Sequence, residues 1–291
     1  MILLDGKATA LAIRAELKTE VAALAAAQGR APGLTVILVG EDPASQVYVR
    51  NKGLACKDAG IVSQEFRLPA ETTQEHLEGI IRDLNADPAV DGILLQLPIP
   101  RHLDSRRCLE LLSPDKDVDG FHPVNMGRLT LGLPGFRPCT PAGVMTLLAR
   151  YGLSPSGKKA VVLGRSNIVG KPLALMLAQP GPQGDATVTL CHSRTQDLAE
   201  ACRQADFLFA AIGKPKFVTR DMVKEGAVVV DVGINRTLLG LVGDCDFEGI
   251  KDHVSALTPV PGGIGPMTIA QLLVNTVQAF RLHTGLNGRK A

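Results

Sequence analysis

The sequence predicts an α/β protein of two domains, the second of them a Rossmann-type parallel sheet, and three observations support this class. Short apolar runs alternate with helical segments along most of the 291 residues, an order typical of parallel sheets covered by helices. A chain of this length more often folds as two domains than as one. A stretch dense in Pro and Gly, residues 98–141, separates two such alternating series and is therefore a plausible boundary.

The first series begins with a helix rich in Ala, Leu, Glu and Lys, which ends at Gly29. Apolar runs that stop at Gly or Pro follow it and predict buried strands. In this series the predicted helices are at residues 8–28, 43–59 and 73–85, and the predicted strands are at 34–39, 63–68 and 92–97.

The Pro- and Gly-rich stretch predicts loops with at most one short helix, at residues 103–112. Thr140 and Pro141 then predict a helix to residue 150, with Thr as the N-cap and Pro at the first helical position. The second series comprises strands at 159–163, 187–191, 207–211, 228–232 and 254–257 and helices at 171–178, 197–204 and 266–283.

The composition excludes several classes of protein. A net charge of +2 is too small for the basic face of a nucleic-acid-binding protein. No run of about 18 uncharged apolar residues occurs, so no membrane-spanning helix is expected, and Asp5 and Lys7 come too early for a secretory signal. Six Cys without a C-x-x-C pair favour reduced thiols in a cytoplasm, and the spacing of the His residues predicts no metal site.

A glycine-rich turn follows the predicted strand at 159–163, where the sequence reads GRSNIVG over residues 164–170. A strand, such a turn and a helix together place backbone N–H groups and the helix N-terminus against a pyrophosphate. The pattern G-x-S-x-x-x-G departs from the common G-x-G-x-x-G, and an ordinary tight turn is the alternative interpretation. Ser166 still allows close approach and adds a hydroxyl donor.

The next strand favours NADP over NAD as the dinucleotide. An NAD site usually has Asp or Glu at the end of this strand, where it accepts from the ribose hydroxyls. Here the strand ends in HSRT at residues 192–195 without an acid, and Asp185 precedes the strand. Ser193 and Arg194, together with Arg165, are suited to a ribose 2′-phosphate instead.

Other polar residues allow two interpretations each. Tyr48 and Lys52 are four residues apart on one helix and share a face: they are either an exposed Lys with Tyr on its stem, or an acid–base Lys with Tyr covering a flat ligand. Gln96 is the one amide in an apolar strand, and it either caps a neighbouring loop or faces a ligand. Asp117 and Asp119 indicate a turn or a ligand acceptor, because they lack the further acids of a calcium loop.

Gly-containing segments also follow the strands at 207–211 and 228–232, at the edge where open parallel sheets bind ligands, although glycines that only turn the chain explain them equally well. The rigid run at 259–266 has N–H groups that can hold an anionic or carbonyl group, although a loop without a ligand explains it equally well.

Five segments, in the same order over nearly the whole chain, closely resemble the bifunctional methylenetetrahydrofolate dehydrogenase/cyclohydrolase family. They are VG at 39–40 with SQVYVRNK at 45–52, LLQLP at 94–98, PDKDVDG at 114–120, GRSNIVGKP at 164–172 and TPVPGGIGPMT at 258–268. One departure is Ile264, which stands where Val is common in the family.

The resemblance implies a catalytic folate-binding domain at residues 1–140, completed by a C-terminal helix at 267–291, and an NADP-binding Rossmann domain at 141–266. A cleft between the two domains would hold the folate. The implied activity is NADP-dependent oxidation of 5,10-methylenetetrahydrofolate to 5,10-methenyltetrahydrofolate, followed by hydrolysis to 10-formyltetrahydrofolate. A cytoplasmic homodimer that serves one-carbon metabolism and purine biosynthesis, without nucleic-acid or membrane partners, is expected.

The resemblance also implies residue roles, by motif position. Lys52 would be the catalytic lysine, Tyr48 would lie over the folate, and Gln96 would orient Lys52 and its water. Asp119 would bind the amino edge of the pterin. The folate site would further include Leu95, Leu97, Pro261, Gly262, Gly263, Ile264 and Gly265. The NADP site would comprise Gly164, Arg165, Ser166, Ser193, Arg194 and Ile234.

Three alternatives remain at the level of sequence. One is an NAD-linked, dehydrogenase-only member of the same family. Another is a shikimate-type dehydrogenase with a similar two-domain plan, which does not explain Lys52, Gln96 and Asp119 together. The third is a non-catalytic dinucleotide-binding module, against which the candidate catalytic residues argue.

Overall fold

The computed structural model of the protein describes residues 1–238 and 240–286. The strands in these residues are β1 (Ile2–Leu3), β2 (Gly33–Val39), β3 (Val62–Leu68), β4 (Gly92–Leu95), β5 (Lys159–Leu163), β6 (Thr187–Cys191), β7 (Phe207–Ala210), β8 (Val228–Asp231), β9 (Asn235–Thr237), β10 (Gly240–Val242) and β11 (Ala256–Leu257). The helices are α1 (Gly6–Gln28), α2 (Pro43–Ala59), α3 (Gln74–Ala86), α4 (Ser105–Leu111), α5 (Pro123–Thr130), α6 (Cys139–Arg150), α7 (Gly170–Ala178), α8 (Leu198–Arg203), α9 (Phe247–Ile250) and α10 (Ile264–His283).

The chain divides into two compact units, and the first, Met1–Leu11 with Thr140–Thr268, is the six-stranded unit. Its strands are all parallel and lie in the order β1-β11-β8-β7-β5-β6. The chain runs from β5 outward to β6 and then returns to the other side of β5 at β7, so the strand order reverses there. Doubly wound sheets bind dinucleotides at this switch point, outside the carboxyl ends of the strands. The predicted Rossmann-type sheet is confirmed.

The central strands of this sheet are near-continuous apolar runs because helices and loops cover both faces. β7 and β8 are buried along their whole length. Leu163, Leu208 and Val229 from three neighbouring strands belong to one buried cluster. β1 adds the first residues of the chain to the sheet by pairing with β11, a placement for which a two-residue strand gives no signal in the sequence.

The other unit, Ala12–Cys139 together with the chain from Ile269 onward, is the three-stranded unit. Its parallel strands lie in the order β3-β2-β4, with β2 central and buried at every residue. Ile37, Ile81 and Ile93 are fully buried members of its apolar core. Within the described residues, no helix is both long and apolar enough to span a membrane.

The strands and helices predicted from the sequence are present, with ends that differ by one or two residues. The expectation of a loop at residues 123–130 is wrong, because these residues form α5. His122 is its N-cap: the ring Nδ1 accepts a hydrogen bond from the Val124 N–H at 3.0 Å, and Pro123 is in the first turn. His is not among the usual capping residues, so the start of this helix was missed.

Further differences are small. The hairpin of β9 and β10 and the short helix α9 were not predicted. The helix beginning at Cys139 starts one residue before the proposed Thr140 N-cap. The C-terminal helix predicted at 267–291 lies within α10 as far as His283, and its last five residues lie outside the described residues.

Candidate active site and dinucleotide site

Helix α2 presents Tyr48 and Lys52 on one face. Its N-cap Asp42 accepts a hydrogen bond from the Ser45 N–H at 2.7 Å, and Gly60 ends the helix in the left-handed region at φ 77°. Lys52 is only 7% exposed, whereas a Lys side chain is rarely buried unless it is paired. The interpretation of Lys52 as an exposed surface residue is therefore wrong. Tyr48 is half-buried, and this burial raises the pKa of its phenol.

The partner of Lys52 is Gln96, directly after β4. Lys52 Nζ donates to Gln96 Oε1 at 2.9 Å, and Gln96 Nε2 donates to the Leu97 carbonyl at 2.7 Å. Both ends of the amide are thus engaged, which fixes its orientation: the oxygen must face the ammonium group. Leu95, by contrast, is 2% exposed in the apolar core, and Leu97 packs partly buried against the same core.

Asp117 and Asp119 have different environments although they are two residues apart. Asp117 is fully buried and accepts hydrogen bonds from the N–H groups of Phe121 and His122 and from Asn125 Nδ2. Burial raises the pKa of this carboxyl, and its hydrogen bonds hold the turn. Of the two interpretations for Asp117, the turn is the one that the geometry favours.

Asp119 is half-buried and close to Lys52 and Cys139. Burial raises the pKa of the Asp119 carboxyl, and the positive charge of Lys52 opposes that rise. Burial and the Asp119 charge also raise the pKa of the Cys139 thiol well above its usual value, so this thiol has little thiolate character. An ammonium, an amide and a carboxylate in one place suit proton transfer and stabilisation of an oxyanion.

Asn275 on α10 supports this region and was not identified from the sequence. Its Nδ2 donates to the carbonyls of Val118 at 2.8 Å and of Arg137 at 3.1 Å. Gly120 lies beside the same segment: at its φ of 78°, a Cβ would stand 2.5 Å from the Arg137 carbonyl carbon. A close approach of two backbone segments therefore places Asp119. An amide in the middle of an apolar helix was the available signal for Asn275.

The glycine-rich turn after β5 is packed tightly at both of its glycines. A Cβ on Gly164, which has φ 126°, would lie 2.1 Å from the Ala211 carbonyl oxygen, and a Cβ on Gly170 would lie 1.9 Å from the Gly164 carbonyl oxygen. Ser166 Oγ accepts from the N–H groups of Val169 at 3.1 Å and Gly170 at 3.3 Å. Its hydroxyl proton is thus directed away from the helix end that its oxygen caps.

The turn after β6 follows the neighbouring strand end, since Leu163 and Cys191 are register partners. His192 N donates to Thr195 Oγ1 at 2.9 Å, which closes the turn. Ser193, Arg194 and Arg165 are all exposed. Asp185 lies before β6, as expected, where its carboxylate accepts from the Gly181 N–H.

Ile234 and the loop at 261–265 are brought together within the six-stranded unit. The Cβ position of Gly265 lies 3.3 Å from Ile234 Cδ1. Lys7 N donates to the Gly262 carbonyl at 2.8 Å, and a Cβ on Gly6 would lie 1.8 Å from the Gly263 carbonyl oxygen. Pro261 is exposed, Gly262 and Gly265 are half-buried, and Gly263 and Ile264 are buried.

Two buried carboxylates that the sequence analysis did not identify order the same edge of the sheet. Asp231 is 3% exposed and Asp244 is fully buried, and both accept hydrogen bonds from backbone N–H groups of the edge loops. Burial raises the pKa of Asp231 to about 6, against the effect of these hydrogen bonds. An acid at the end of the run VVVD in β8 was the available signal. Within the described residues, no group of His, Cys, Asp and Glu is arranged to hold a metal ion.

The Rossmann-type sheet with its glycine-rich switch point, and a buried Lys bonded to an amide, define a dinucleotide-dependent enzyme with an acid–base centre. Residues 4–119 match the tetrahydrofolate dehydrogenase/cyclohydrolase catalytic domain, and residues 138–284 match the NAD(P)-binding domain of the same family. The chain belongs to the tetrahydrofolate dehydrogenase/cyclohydrolase family. The family expected from the five motifs is confirmed.

Relatives and solved structures agree with this assignment over nearly full length. The chain is 73% identical over 286 residues to the bifunctional protein FolD of Nitratidesulfovibrio vulgaris strain DP4, covering 98% of this chain and 100% of the relative. The structure of the bifunctional enzyme FolD from Campylobacter jejuni matches with a TM-score of 0.93 at 50% identity, covering 97% of this chain and 99% of that one. The Trypanosoma brucei dehydrogenase–cyclohydrolase, complexed with NADP cofactor and inhibitor, matches with a TM-score of 0.92 at 40% identity, covering 99% of each chain.

Proposed function

We propose that the chain oxidises 5,10-methylenetetrahydrofolate to 5,10-methenyltetrahydrofolate with NADP, and then hydrolyses this product to 10-formyltetrahydrofolate. The observation that carries the proposal is the buried Lys52 ammonium held by Gln96 at 2.9 Å. The carboxylate of Asp119 lies close to this ammonium group, so two polar groups that can act on a substrate stand together. The Lys, the Gln and the Asp all stand at motif positions of the family to which the chain belongs.

The residues after β5 fit a dinucleotide. The turn has no Cβ at Gly164 or Gly170, the two positions where a Cβ would collide with backbone oxygens, and it leads into the N-terminus of α7, where N–H groups favour a phosphate. Gly164 and Ser166 would hold the pyrophosphate, and Arg165, Ser193 and Arg194 would hold a ribose 2′-phosphate. Ile234 would contact the same cofactor. When bound, NADP supplies a nicotinamide that accepts a hydride.

In the dehydrogenase step the chain's own residues act by placing the folate. Hydride transfer needs a fixed distance and orientation between donor and acceptor rather than an acid or a base. Tyr48, half-buried one turn before Lys52, would cover the flat pterin. Asp119 would accept hydrogen bonds from the amino edge of the pterin, and Leu97 would line the same site beside Gln96.

In the cyclohydrolase step, the oxygen of a water forms a bond to the methenyl carbon and the bond from that carbon to N5 breaks. The water gives up both protons, one released to solvent and one delivered to N5. Lys52 Nζ would stabilise the negative charge that develops on the attacking oxygen. It would also transfer the proton that is delivered to N5. Gln96 would keep Nζ at this position because its oxygen accepts from the ammonium.

The resemblance to the family also implies a division into domains. We infer a catalytic domain at 1–140, completed by the C-terminal helix at 267–291, and an NADP-binding domain at 141–266. We also infer a cytoplasmic homodimer whose product serves purine biosynthesis. These inferences rest on the resemblance to the family and on the reduced cysteines.

A spectrophotometric assay tests the proposal. Purified protein is given methylenetetrahydrofolate with NADP or with NAD, and the reduced cofactor and the methenyl product are followed separately. We expect higher catalytic efficiency with NADP, and consumption of methenyltetrahydrofolate in the absence of any cofactor. Equal efficiency with NAD would contradict the assignment of Arg165, Ser193 and Arg194, and a stable methenyl product would contradict the cyclohydrolase.

A further inference from the structure

Asp244 binds the loop that follows β7 through consecutive backbone groups. Its Oδ2 accepts from the N–H groups of Ile212 at 2.7 Å and Gly213 at 2.9 Å, and its Oδ1 accepts from the Lys214 N–H at 2.9 Å. Oδ1 also accepts from Asn235 Nδ2 at 2.8 Å. One fully buried carboxylate therefore joins the loop after β7 to the residue next to Ile234, after β8.

Asp231, at the end of β8, fixes Asp244 in turn. Its Oδ1 accepts from the N–H groups of Gly233 at 3.0 Å and Asp244 at 2.9 Å, and its Oδ2 accepts from the Cys245 N–H at 2.8 Å. Thr258 Oγ1 accepts from the Asp231 N–H at 2.7 Å. Asp231 thus holds the backbone at residues 244 and 245, and that backbone carries the Asp244 carboxylate.

Two glycines make room for the two carboxylates. A Cβ on Gly233 would lie 2.2 Å from the Asp244 carboxyl carbon, and a Cβ on Gly243 would lie 1.9 Å from Asp231 Oδ2. Each carboxylate therefore requires a glycine beside it, Gly243 for Asp231 and Gly233 for Asp244. Buried carboxylates are costly unless they are satisfied in this way.

The loop held by Asp244 is part of the dinucleotide edge. Its first residue is Ala211, and the Ala211 carbonyl oxygen lies 2.1 Å from the position of a Cβ on Gly164. A shift of the loop at 211–214 would therefore change the space available to the glycine-rich turn. The switch point lies between β5 and β7, so the glycine-rich turn after β5 and the loop after β7 border it on either side.

We propose that Asp244 is a positioning residue for dinucleotide binding, and that Asp231 holds it in place. Asp244 keeps the loop at 211–214 against the glycine-rich turn before any cofactor arrives. The inference rests on the proposed function, because it concerns how the chain shapes its NADP site. Asp244 is not a catalytic residue, since its oxygens are occupied by backbone and side-chain donors.

The first experiment measures hydrogen exchange of the cofactor-free protein. In Asp244→Asn an NH₂ group replaces one of the two acceptor oxygens, so two of the four hydrogen bonds are lost. We expect the amides of residues 212–214 to exchange about tenfold faster or more, while the amides of β2 are unchanged. Unchanged exchange at 212–214 would overturn the proposal.

The second experiment measures binding and kinetics of the same variant. We expect the Kd and the KM for NADP to rise by about tenfold, with the KM for methylenetetrahydrofolate unchanged. Gly233→Ala, which pushes on Asp244 without changing any charge, should act in the same direction. Asp206→Asn is the matched control, because Asp206 accepts from the Lys159 N–H and from Lys224 at the opposite end of the sheet.

The outcomes separate this inference from the proposed function. If the wild type neither binds NADP nor oxidises the folate, the proposed function is wrong, and the inference is wrong with it. If the wild type is active but Asp244→Asn and Gly233→Ala bind NADP as it does, only the inference fails. If both variants lose methenyltetrahydrofolate hydrolysis and unfold, Asp244 has a purely structural role and the inference also fails.

Discussion

Lys52 owes its position to two separate constraints. Helix α2 fixes its direction through the Asp42 cap, and the Gln96 amide fixes its ammonium group at 2.9 Å. The charge is therefore available in a place from which most water is excluded, where electrostatic stabilisation is stronger than in solution.

We expect Lys52→Met to lower the rate of methenyltetrahydrofolate hydrolysis by about 10²–10⁴-fold, the range for loss of a general acid or base. The Kd for NADP should not change, because the residues proposed to hold the cofactor lie in the six-stranded unit. Lys57→Met on the same helix is the control, since Lys57 is exposed and should be dispensable. Hydrolysis by Lys52→Met at the wild-type rate would show that the role of Lys52 is misassigned.

Asp231 leads to a pH dependence of stability. Its pKa is raised to about 6 by burial from the ordinary 3.8, so the folded state binds its proton more tightly than the unfolded state. The stabilisation that comes from tighter proton binding at Asp231 is fully present below pH 4 and is lost as the pH rises through 6. The pKa difference corresponds to about 3 kcal/mol, since one unit is worth about 1.36 kcal/mol.

Urea unfolding of the wild type and of Asp231→Asn between pH 4 and pH 7 measures this effect. The free energy of unfolding of the wild type, relative to that of the variant, should fall by about 2–3 kcal/mol over this window. Parallel pH profiles for the two proteins would mean that the Asp231 carboxyl has an ordinary pKa.

At the scale of elements, the segments that follow β5, β7 and β8 restrict one another's positions. The turn after β5 meets Ala211 after β7, and Asp244 joins the loops after β7 and β8. Parallel strands place all of these ends at one edge, so residues far apart in sequence are assembled into a single surface.

Gly164→Ala tests the packing of the glycine-rich turn. A Cβ there would stand 2.1 Å from the Ala211 carbonyl oxygen, so the turn or the loop must move and NADP binding should weaken by about tenfold or more. Gly181→Ala is a close control: its φ of 124° resembles the 126° of Gly164, but apart from the adjacent residues no atom lies within 4 Å of its Cβ position. Equal losses for both variants in binding titrations would contradict a specific effect of the collision at Gly164.

At the scale of the molecule, one buried carboxylate joins distant parts of the chain within one unit. Asp91 is fully buried and accepts two hydrogen bonds from Arg30, at 2.7 and 2.8 Å, and one from the Gly33 N–H at 2.8 Å. His283, at the end of α10, lies 3.2 Å from the same carboxylate. The C-terminal helix is thereby tied to the three-stranded unit.

We expect Asp91→Ala to lower the free energy of unfolding by about 2–3 kcal/mol, because Arg30 and the Gly33 N–H both lose their acceptor. Asp58→Ala is the control: Asp58 pairs with Arg14 at 3.6 Å and its side chain is 69% exposed, so the loss should be below about 1 kcal/mol. Chemical denaturation gives both values. Similar losses in the two variants would mean that Asp91 contributes no more than a surface pair.

Much of the fold could be predicted because its signals are local. Apolar runs that end at Gly or Pro mark strands such as β2 and β5, and the Pro43 start and Gly60 stop mark α2. α5 was missed because its cap is the ring of His122 rather than a Ser, Thr, Asp or Asn side chain. β1 was missed because two residues carry no periodicity.

The sequence by itself determined the α/β class, the positions of most elements and the family, since these depend on periodicity and on motifs in short contiguous segments. Only the tertiary structure decided between the interpretations of Lys52 and Asp117, and only it revealed the pairing of Lys52 with Gln96 and the role of Asp244. Lys52 and Gln96 are 44 residues apart, and Asp244 and Ile212 are 32 apart. The physical reason is that burial and hydrogen bonding of a polar side chain are set by whatever the fold places beside it, which no local pattern encodes.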